Sequence, residues 1–134
     1  MSPNPLVVID ASVLIHALTS FHDSGVRVRA ALTGARLAAP EHLLMETFHG
    51  IRGLQLGGKL DVDGAQLAVD ILGLMPVELV PSALLLPRMW QLRNNLTGYD
   101  AAYVAAAERL QVPLITGDRK LAAATGPQCQ IMVP

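Results

Sequence analysis

The sequence predicts an α/β protein, a three-layer α/β/α sandwich around a central and mainly parallel sheet. Short apolar runs rich in β-branched residues alternate along the 134 residues with longer segments in which apolar residues recur at helical spacing. This alternation favours a parallel sheet that helices cover on both faces. A chain of this length suits one folding unit, so residues 1–134 are expected to form a single domain.

The first third of the chain is predicted to form two strands and two helices. Residues 6–10 are a short apolar run that ends at Asp10, which indicates a buried strand followed by a functional turn. The apolar spacing after this strand predicts a first helix. A second helix is expected over residues 23–32, and residues 37–39 are expected to form a brief strand.

A third helix is predicted to begin at Pro40 and Glu41 and to run to about residue 54. Proline is favoured at the first helical position, and an acid is favoured near the positive end of the helix dipole. A fourth helix follows the break at Gly57 and Gly58, and residues 77–80 form the next strand. One side of the fourth helix is apolar and consists of Val62, Ala65, Val69 and Leu72. This side fits either the core or a contact with a second copy of the chain.

The last third of the chain repeats the same alternation. Ser82 is predicted to cap a helix that reaches about residue 93, and Thr97 opens a capping-box pattern before an alanine-rich helix. Residues 113–116 are the next strand, and Asp118 begins a short helix. Residues 130–133 can add a final edge strand.

The overall composition excludes several classes of protein. Hydrophobic residues make up 51% of the chain and charged residues 16%, which indicates a folded core. A formal net charge of -1 argues against electrostatic coating of nucleic acid, and 4% aromatic residues argue against an extended base-stacking surface. Cys129 is the only cysteine, so no internal disulfide and no cysteine-based zinc site is expected. Because the chain lacks a long apolar run and a secretory leader pattern, a cytoplasmic location is expected.

Two aspartates follow predicted strands and therefore mark one edge of the predicted sheet. Asp10 ends the first strand, and Asp118 comes soon after the strand at residues 113–116. Open α/β sheets bind ligands outside the carboxyl ends of their strands, so both carboxylates are candidates for a functional site. Each aspartate also fits a helix N-cap, and Asp100 fits the fourth position of the capping box that Thr97 opens.

Glu46 shares one face of the third helix with two histidines, His42 and His49. Such a face could hold a metal, but the di-iron pattern needs a second Glu-x-x-His motif and the zincin pattern His-Glu-x-x-His is absent. The histidines are therefore expected at the surface or beside a site. Glu46 either faces solvent or joins the aspartates.

Four segments carry these acids, and they follow one another as VVIDASVLI at residues 7–15, PEHLLME at 40–46, LTGYDAAY at 96–103 and PLITGDRKL at 113–121. In order and spacing they resemble the four motifs of PIN-domain ribonucleases, whose fold is PIN-like and Rossmann-like. The match spans nearly the whole chain. At this length, the chain is most similar to the VapC toxins of bacterial toxin-antitoxin pairs.

The resemblance implies that one catalytic site of a metal-dependent endoribonuclease is formed by four acids, Asp10, Glu46, Asp100 and Asp118. Asp10, Asp100 and Asp118 are expected to ligate the metal, and Glu46 to ligate it or to orient the attacking water. Ser12 and Thr116 are expected to help position metal, water or phosphate. Oxygen ligands without cysteine suit Mg²⁺ or Mn²⁺.

The resemblance also implies a substrate and partners. The substrate is expected to be a structured cellular RNA such as transfer or ribosomal RNA, whose cleavage would inhibit translation and growth. The partners are expected to be a VapB-like antitoxin, whose tail occupies the active-site groove, and a second copy in a homodimer. Four basic residues are candidates to hold the RNA backbone, namely Arg52, Arg93, Arg119 and Lys120. A role in surface solubility would explain them equally well.

Three other functions remain as alternatives. A non-catalytic PIN-like module would use the acidic pocket only to bind a metal or a partner. A phosphotransferase that phosphorylates Asp10 usually carries Asp-x-Asp, whereas Ser12 stands at the third position here. Residues 53–59 have the glycine and lysine spacing of a nucleotide-binding loop, but Leu60 replaces the magnesium-binding hydroxyl and the segment follows a helix.

Overall fold

Five parallel strands form one sheet in the computed structural model, which describes residues 4–134. Residues 1–3, which belong to the segment used for the expectation about a secretory leader, lie outside the described residues. The strands are Leu6–Ile9 (β1), Arg36–Pro40 (β2), Val77–Val80 (β3), Leu114–Ile115 (β4) and Ile131–Met132 (β5). Their order in the sheet is β3-β2-β1-β4-β5, and every neighbouring pair is parallel. The predicted mainly parallel sheet is confirmed.

Helices surround this sheet and complete the predicted α/β/α sandwich. They are Ala11–Thr19 (α1), Asp23–Leu32 (α2), Leu43–Leu56 (α3), Val62–Leu74 (α4), Ser82–Gln91 (α5), Gly98–Leu110 (α6) and Arg119–Ala123 (α7). The helices α1 to α4 pack on one another, whereas α5 packs on α6 and α6 lies against β1, β2 and β4. Within residues 4–134, no helix has the length and apolar character that a membrane crossing requires.

The alanine-rich helix α6 is the central helix of the core. All of residues 101–107 are buried, although a helix at the surface of a protein normally buries only one stripe. Small alanine side chains let this helix approach both the sheet and α5 closely. The helix that carries Asp100 in its first turn is therefore packed directly on the sheet.

Two predicted helix starts are wrong, and a contact between distant segments explains both. Pro40 is the last residue of β2, paired with Val80, so the chain stays extended there and α3 begins only at Leu43. Ser82 is the first residue of α5 and is not its cap. The Glu41 carboxylate accepts a hydrogen bond from the Ser82 backbone N–H at 2.6 Å, so an acid from another segment caps α5.

The apolar side of α4 belongs mostly to the core. Leu72 is buried and Val69 is partly buried against the core cluster, which confirms the core interpretation for these two side chains. Val62 is 66% exposed and does not share that role. Other apolar side chains on α4 are also exposed, including Leu67 and Leu74.

Candidate active site

The register of the sheet places Asp10 beside Thr116. Ile9 in β1 pairs with Ile115 in β4, so the next residue of each strand emerges at the same carboxyl edge. Asp10 is only 5% exposed and caps α1, because its carboxylate accepts a hydrogen bond from the Val13 N–H at 3.1 Å. The N-cap interpretation of Asp10 is therefore correct, and the same geometry places its carboxyl group at the predicted edge.

Two hydroxyl groups hold the Asp10 carboxylate. Ser12 Oγ donates to one oxygen at 2.6 Å, and the Thr116 hydroxyl donates to the other. Ser12 Oγ also accepts from the Gly117 N–H at 3.0 Å, and Thr116 Oγ1 accepts from the Asp118 N–H at 3.0 Å. These bonds link the first motif to the fourth across the sheet edge.

Burial raises the pKa of Asp10, although the bonds from Ser12, Thr116 and Val13 lower it in part, and the charge of Glu46 raises it further. Its environment therefore stabilises the neutral form of Asp10 relative to a carboxyl group in water.

Asp118 and Asp100 each lie at the N-terminal end of a helix. Asp118 caps α7 by accepting a hydrogen bond from the Lys120 N–H at 2.9 Å. Asp100 lies in the first turn of α6, where Thr97 is the N-cap. Burial raises the pKa of Asp100, the Thr97 hydroxyl lowers it, and the charges of the other three acids raise it. The four predicted acids therefore lie close enough to act on one another electrostatically.

Glu46 is held by a buried tyrosine that the sequence analysis did not single out. Tyr103 Oη donates to Glu46 Oε1 at 2.6 Å, across 57 positions of the chain. Tyr103 is 1% exposed, and burial followed by the bond to Glu46 raises its pKa far above the ordinary value of 10.0, so the hydroxyl keeps its proton. Helical spacing could have identified Tyr103 as a residue of the site, because it follows Asp100 by three residues and so shares its helix face.

His42 lies beside Glu46 and between two tyrosine rings. Its Nε2 atom is 3.5 Å from Glu46 Oε1, is buried, and makes no hydrogen bond within residues 4–134. Burial lowers the pKa of His42, and Glu46 raises it in part. The imidazole stacks on Tyr99 and packs at a tilt on Tyr103. The histidines were expected either at the surface or beside a site. His42 lies beside the site, and His49 is exposed at the surface.

The acids fit a hard divalent cation by their chemistry. Burial first, and then the charges of neighbouring carboxylates, raises the pKa of Asp10 and of Asp100, and a bound cation would stabilise the ionised form of both groups. Within residues 4–134, however, no three Asp, Glu, His or Cys side chains are grouped tightly enough to ligate one ion as they stand. Asp10, Asp100 and Asp118 are the groups that would hold it.

The four basic residues are not gathered in one place. Arg119 and Lys120 are exposed on α7, directly after Asp118. Arg93 is exposed and stacks on Trp90, with its guanidinium carbon 4.2 Å from the ring centroid. Arg52 is exposed on α3, and no hydrogen bond or ion pair among the described residues joins it to the acids. Arg119 and Lys120 are thus the basic pair nearest to an acid along the chain.

A PIN domain model matches residues 7–127, which include all four acids. The chain therefore belongs to the PIN-domain family.

Its relatives within that family are VapC ribonucleases, which confirms the more specific resemblance. Ribonuclease VapC1 of Mycobacterium tuberculosis is 39% identical over 125 residues, covering 92% of this chain and 94% of that protein. Ribonuclease VapC9 of the same organism is 33% identical over 128 residues, covering 96% and 98%. Among solved structures, VapBC2 of Rickettsia felis, bound to a DNA fragment from their promoter, superposes with a TM-score of 0.68 at 17% identity, covering 96% of this chain and 98% of that one. This last likeness supports the fold.

Proposed function

We propose that this chain is a divalent-metal-dependent endoribonuclease and the toxin of a VapBC-type pair. The observation that carries the proposal is the proximity of four acids from separate motifs: besides burial, the charges of Asp118, Asp10 and Glu46 raise the pKa of Asp100. Relatives at 33–39% identity that are named ribonucleases support RNA as the substrate. A structured cellular RNA such as transfer or ribosomal RNA is the proposed target.

Each acid has a role that follows from its contacts. Asp10, Asp100 and Asp118 would hold Mg²⁺ or Mn²⁺, because carboxylate oxygens suit both ions. The chemistry that such an ion supplies is activation of water and neutralisation of charge on the phosphate. Ser12 and Thr116 fix the Asp10 carboxylate by hydrogen bonds. Glu46, held by the hydrogen bond from Tyr103, would orient the water that attacks the phosphodiester.

The basic residues and the expected partners complete the proposal. Arg119 and Lys120 hold the RNA backbone beside Asp118, while Arg52 and Arg93 make more distant phosphate contacts. A VapB-like antitoxin covers the acidic edge, as the name of the VapBC2 neighbour suggests. The chain acts in the cytoplasm as a homodimer, and exposed apolar side chains such as Leu74 and Trp90 are available for that contact.

The first test is cleavage of total bacterial RNA by the purified chain, with Mn²⁺ or with EDTA. Discrete new ends, mapped by sequencing, are expected only with the metal. Asp10→Asn and Asp118→Asn should abolish the cuts, because each removes an anionic ligand. Asp70→Asn is the matched control, since Asp70 is an exposed acid on α4 that contacts Gln66 instead of the site.

Two results would overturn the proposal. Cuts that persist in EDTA would show a metal-free ribonuclease. Metal binding without any cleavage of total RNA would instead favour the non-catalytic metal-binding or partner-binding module.

A further inference from the structure

Tyr99 is an exposed aromatic residue at the border of the acidic site. It precedes Asp100 in the first turn of α6, and it is 65% exposed. Its ring stacks on His42, with centroids 4.9 Å apart and planes inclined by 26°. His42 in turn packs on buried Tyr103, with centroids 4.8 Å apart. These three rings, here called the aromatic stack, run from the core to the surface.

The outer end of the aromatic stack has an open face. One face of the Tyr99 ring lies on His42, and most of the residue is exposed, so the opposite face is available to a ligand. The inner end is fixed, because Tyr103 is 1% exposed and donates its hydroxyl proton to Glu46. The open face is therefore held at a defined place relative to Glu46 and Asp100.

Tyr99 also borders a cavity of about 220 Å³, which is lined by His42, Met45, Glu46, His49 and Tyr99. It has no lysine or arginine in its lining, and it contains the Glu46 carboxylate, so it disfavours phosphate. Aromatic rings and a methionine instead suit a flat, uncharged group with polar edges. An unpaired nucleobase has this chemistry, and bases of unpaired RNA stack on tyrosine and histidine rings.

We propose that Tyr99 and His42 form a stacking subsite for one unpaired nucleobase, next to the phosphodiester that is cut. This subsite rests on the proposed endoribonuclease function, since it places the nucleotide that flanks the acids. The low aromatic content of the chain, 4%, limits the interaction to about one base and excludes an extended platform. The subsite selects loops and single strands, because a base within a duplex cannot reach the open face.

The test measures binding and cleavage by the full chain with Tyr99→Ala and Tyr99→Phe. The probe is a set of labelled RNA hairpins with a randomised unpaired loop. Binding is measured with Asp118→Asn present in every protein, so that the probe stays intact. Tyr99→Ala is expected to bind the hairpins about 5- to 150-fold more weakly than the parent, because it loses one base–aromatic stack. The affinity of Tyr99→Phe should stay within about twofold of the parent's.

The matched control is Phe21→Ala, which removes another exposed ring, 87% exposed, between α1 and α2. It should bind the hairpins like the parent. All variants should unfold at the parent's temperature, because Tyr99 is largely exposed, which separates lost stacking from lost structure. Ultraviolet crosslinking should also join a loop nucleotide to the peptide that contains Tyr99.

The possible outcomes separate this subsite from the nuclease proposal. Unchanged binding and cleavage by Tyr99→Ala would overturn the subsite and leave the nuclease intact. Tyr99-dependent binding without cleavage of hairpins or of total RNA by the otherwise unmodified chain would uphold base stacking on Tyr99, but it would overturn the nuclease and with it the placement of the base beside a cut phosphodiester. No binding of any hairpin would overturn the subsite, and cleavage of total RNA would still decide on the nuclease separately.

Discussion

The hydroxyl group of Tyr103 decides where the Glu46 carboxylate points. A carboxylate on an exposed helix face has many rotamers, and a single short hydrogen bond from a buried donor selects one of them. Among residues 4–134, Tyr103 makes no hydrogen bond to any of the other three motif carboxylates. It therefore acts through Glu46, as a positioning residue.

Removal of this hydroxyl should lower activity without unfolding the protein. We expect Tyr103→Phe to reduce kcat on RNA by about 10- to 100-fold, as is typical when a group that orients a metal-site residue is lost. KM should change little, because the ring still packs in the core. The effect should be absent when Glu46→Gln is already present, so a double-mutant cycle in cleavage assays checks the coupling. Additive losses would contradict the positioning role.

Burial of Asp100, together with the neighbouring carboxylates, also makes stability depend on pH. The pKa of Asp100 in the folded chain lies above its ordinary value of 3.8, so the ionised form is less stable when folded. The sign follows directly: the metal-free chain should lose stability as pH rises through the raised pKa, and regain it as pH falls towards 3.8. Asp100→Asn should therefore stabilise the metal-free chain at neutral pH.

Urea unfolding of both proteins in EDTA, at neutral and mildly acidic pH, checks this prediction. The advantage of Asp100→Asn should shrink on acidification, because the wild-type carboxyl group then also becomes neutral. An advantage of equal size at both pH values would mean that ionisation of the Asp100 carboxyl group is not its source.

Among the helices, the junction of α1 and α2 depends on a glycine. Gly25 is buried in α2, and an added Cβ would lie against the Ser20 backbone, 2.8 Å from the Ser20 carbonyl carbon. The Ser20 carbonyl oxygen also accepts a hydrogen bond from Arg29 Nη1 at 2.5 Å, so it cannot move freely. Close backbone contact thus selects glycine inside this helix.

Gly25→Ala should destabilise the protein, although alanine is the better helix former. The forced shift of α2 should lower the free energy of unfolding by about 1–3 kcal/mol. Gly53→Ala on α3 is the control, since a Cβ there meets nothing within 4 Å. This substitution should raise the free energy of unfolding by about 0.5–1 kcal/mol. Chemical denaturation measures both, and equal effects of the two substitutions would refute the packing argument.

An ion pair joins α5, α6 and the C-terminal segment. Arg88 donates to both oxygens of Glu108, at 2.6 and 3.2 Å, and also to the Gly126 carbonyl oxygen at 2.9 Å. Glu108 accepts from the Gln128 N–H at 2.8 Å. The segment that leads into β5 is therefore tied to the helix layer through one carboxylate.

Loss of this ion pair should loosen the edge of the sheet. Arg88→Met should cost about 2 kcal/mol of stability, the range for charge-assisted hydrogen bonds. Hydrogen exchange should then accelerate in residues 126–132. Arg109→Met, an exposed arginine on α6, should leave both properties unchanged. Normal exchange in Arg88→Met would show that β5 is held by its pairing with β4 alone.

Most elements could be predicted from the sequence because their signals are local. The helix Asp23–Leu32 and the strand Val77–Val80 have the predicted bounds, and α6 begins after Thr97 as the capping box indicates. The starts of α3 and α5 were mispredicted because the Glu41 carboxylate and β3 act on them from distant parts of the chain. Local patterns do not contain such contacts.

The same distinction applies to the candidate site. The strand-end positions of Asp10 and Asp118 follow from periodicity, and the family motifs bring Glu46 and Asp100 to them. The Tyr103 bond to Glu46 spans 57 positions, and helical spacing only hints at it. The stack of Tyr99 on His42 likewise joins two separate helix starts, so only the folded structure reveals it.

For the molecule as a whole, a bound cation should raise stability. A ligand that binds only the folded state stabilises it by mass action, by about 2.7 kcal/mol at a hundredfold excess over Kd. Mn²⁺ should therefore raise the unfolding temperature of the chain by several degrees. Asp118→Asn should abolish most of that shift, and calorimetry with and without EDTA measures it. An equal shift in both proteins would place the cation elsewhere.

The Thr116 hydroxyl that donates a hydrogen bond to Asp10 belongs to a part of the chain that the ribosome synthesises late. Thr116 lies 106 residues further on, and β4 must pair with β1 before the two side chains can meet. Closing so long a loop is a slow and entropically costly step in folding. A growing chain on the ribosome therefore has an incomplete acidic edge until its fourth strand has emerged. The proposed active site would therefore be completed only after most of the chain has been made.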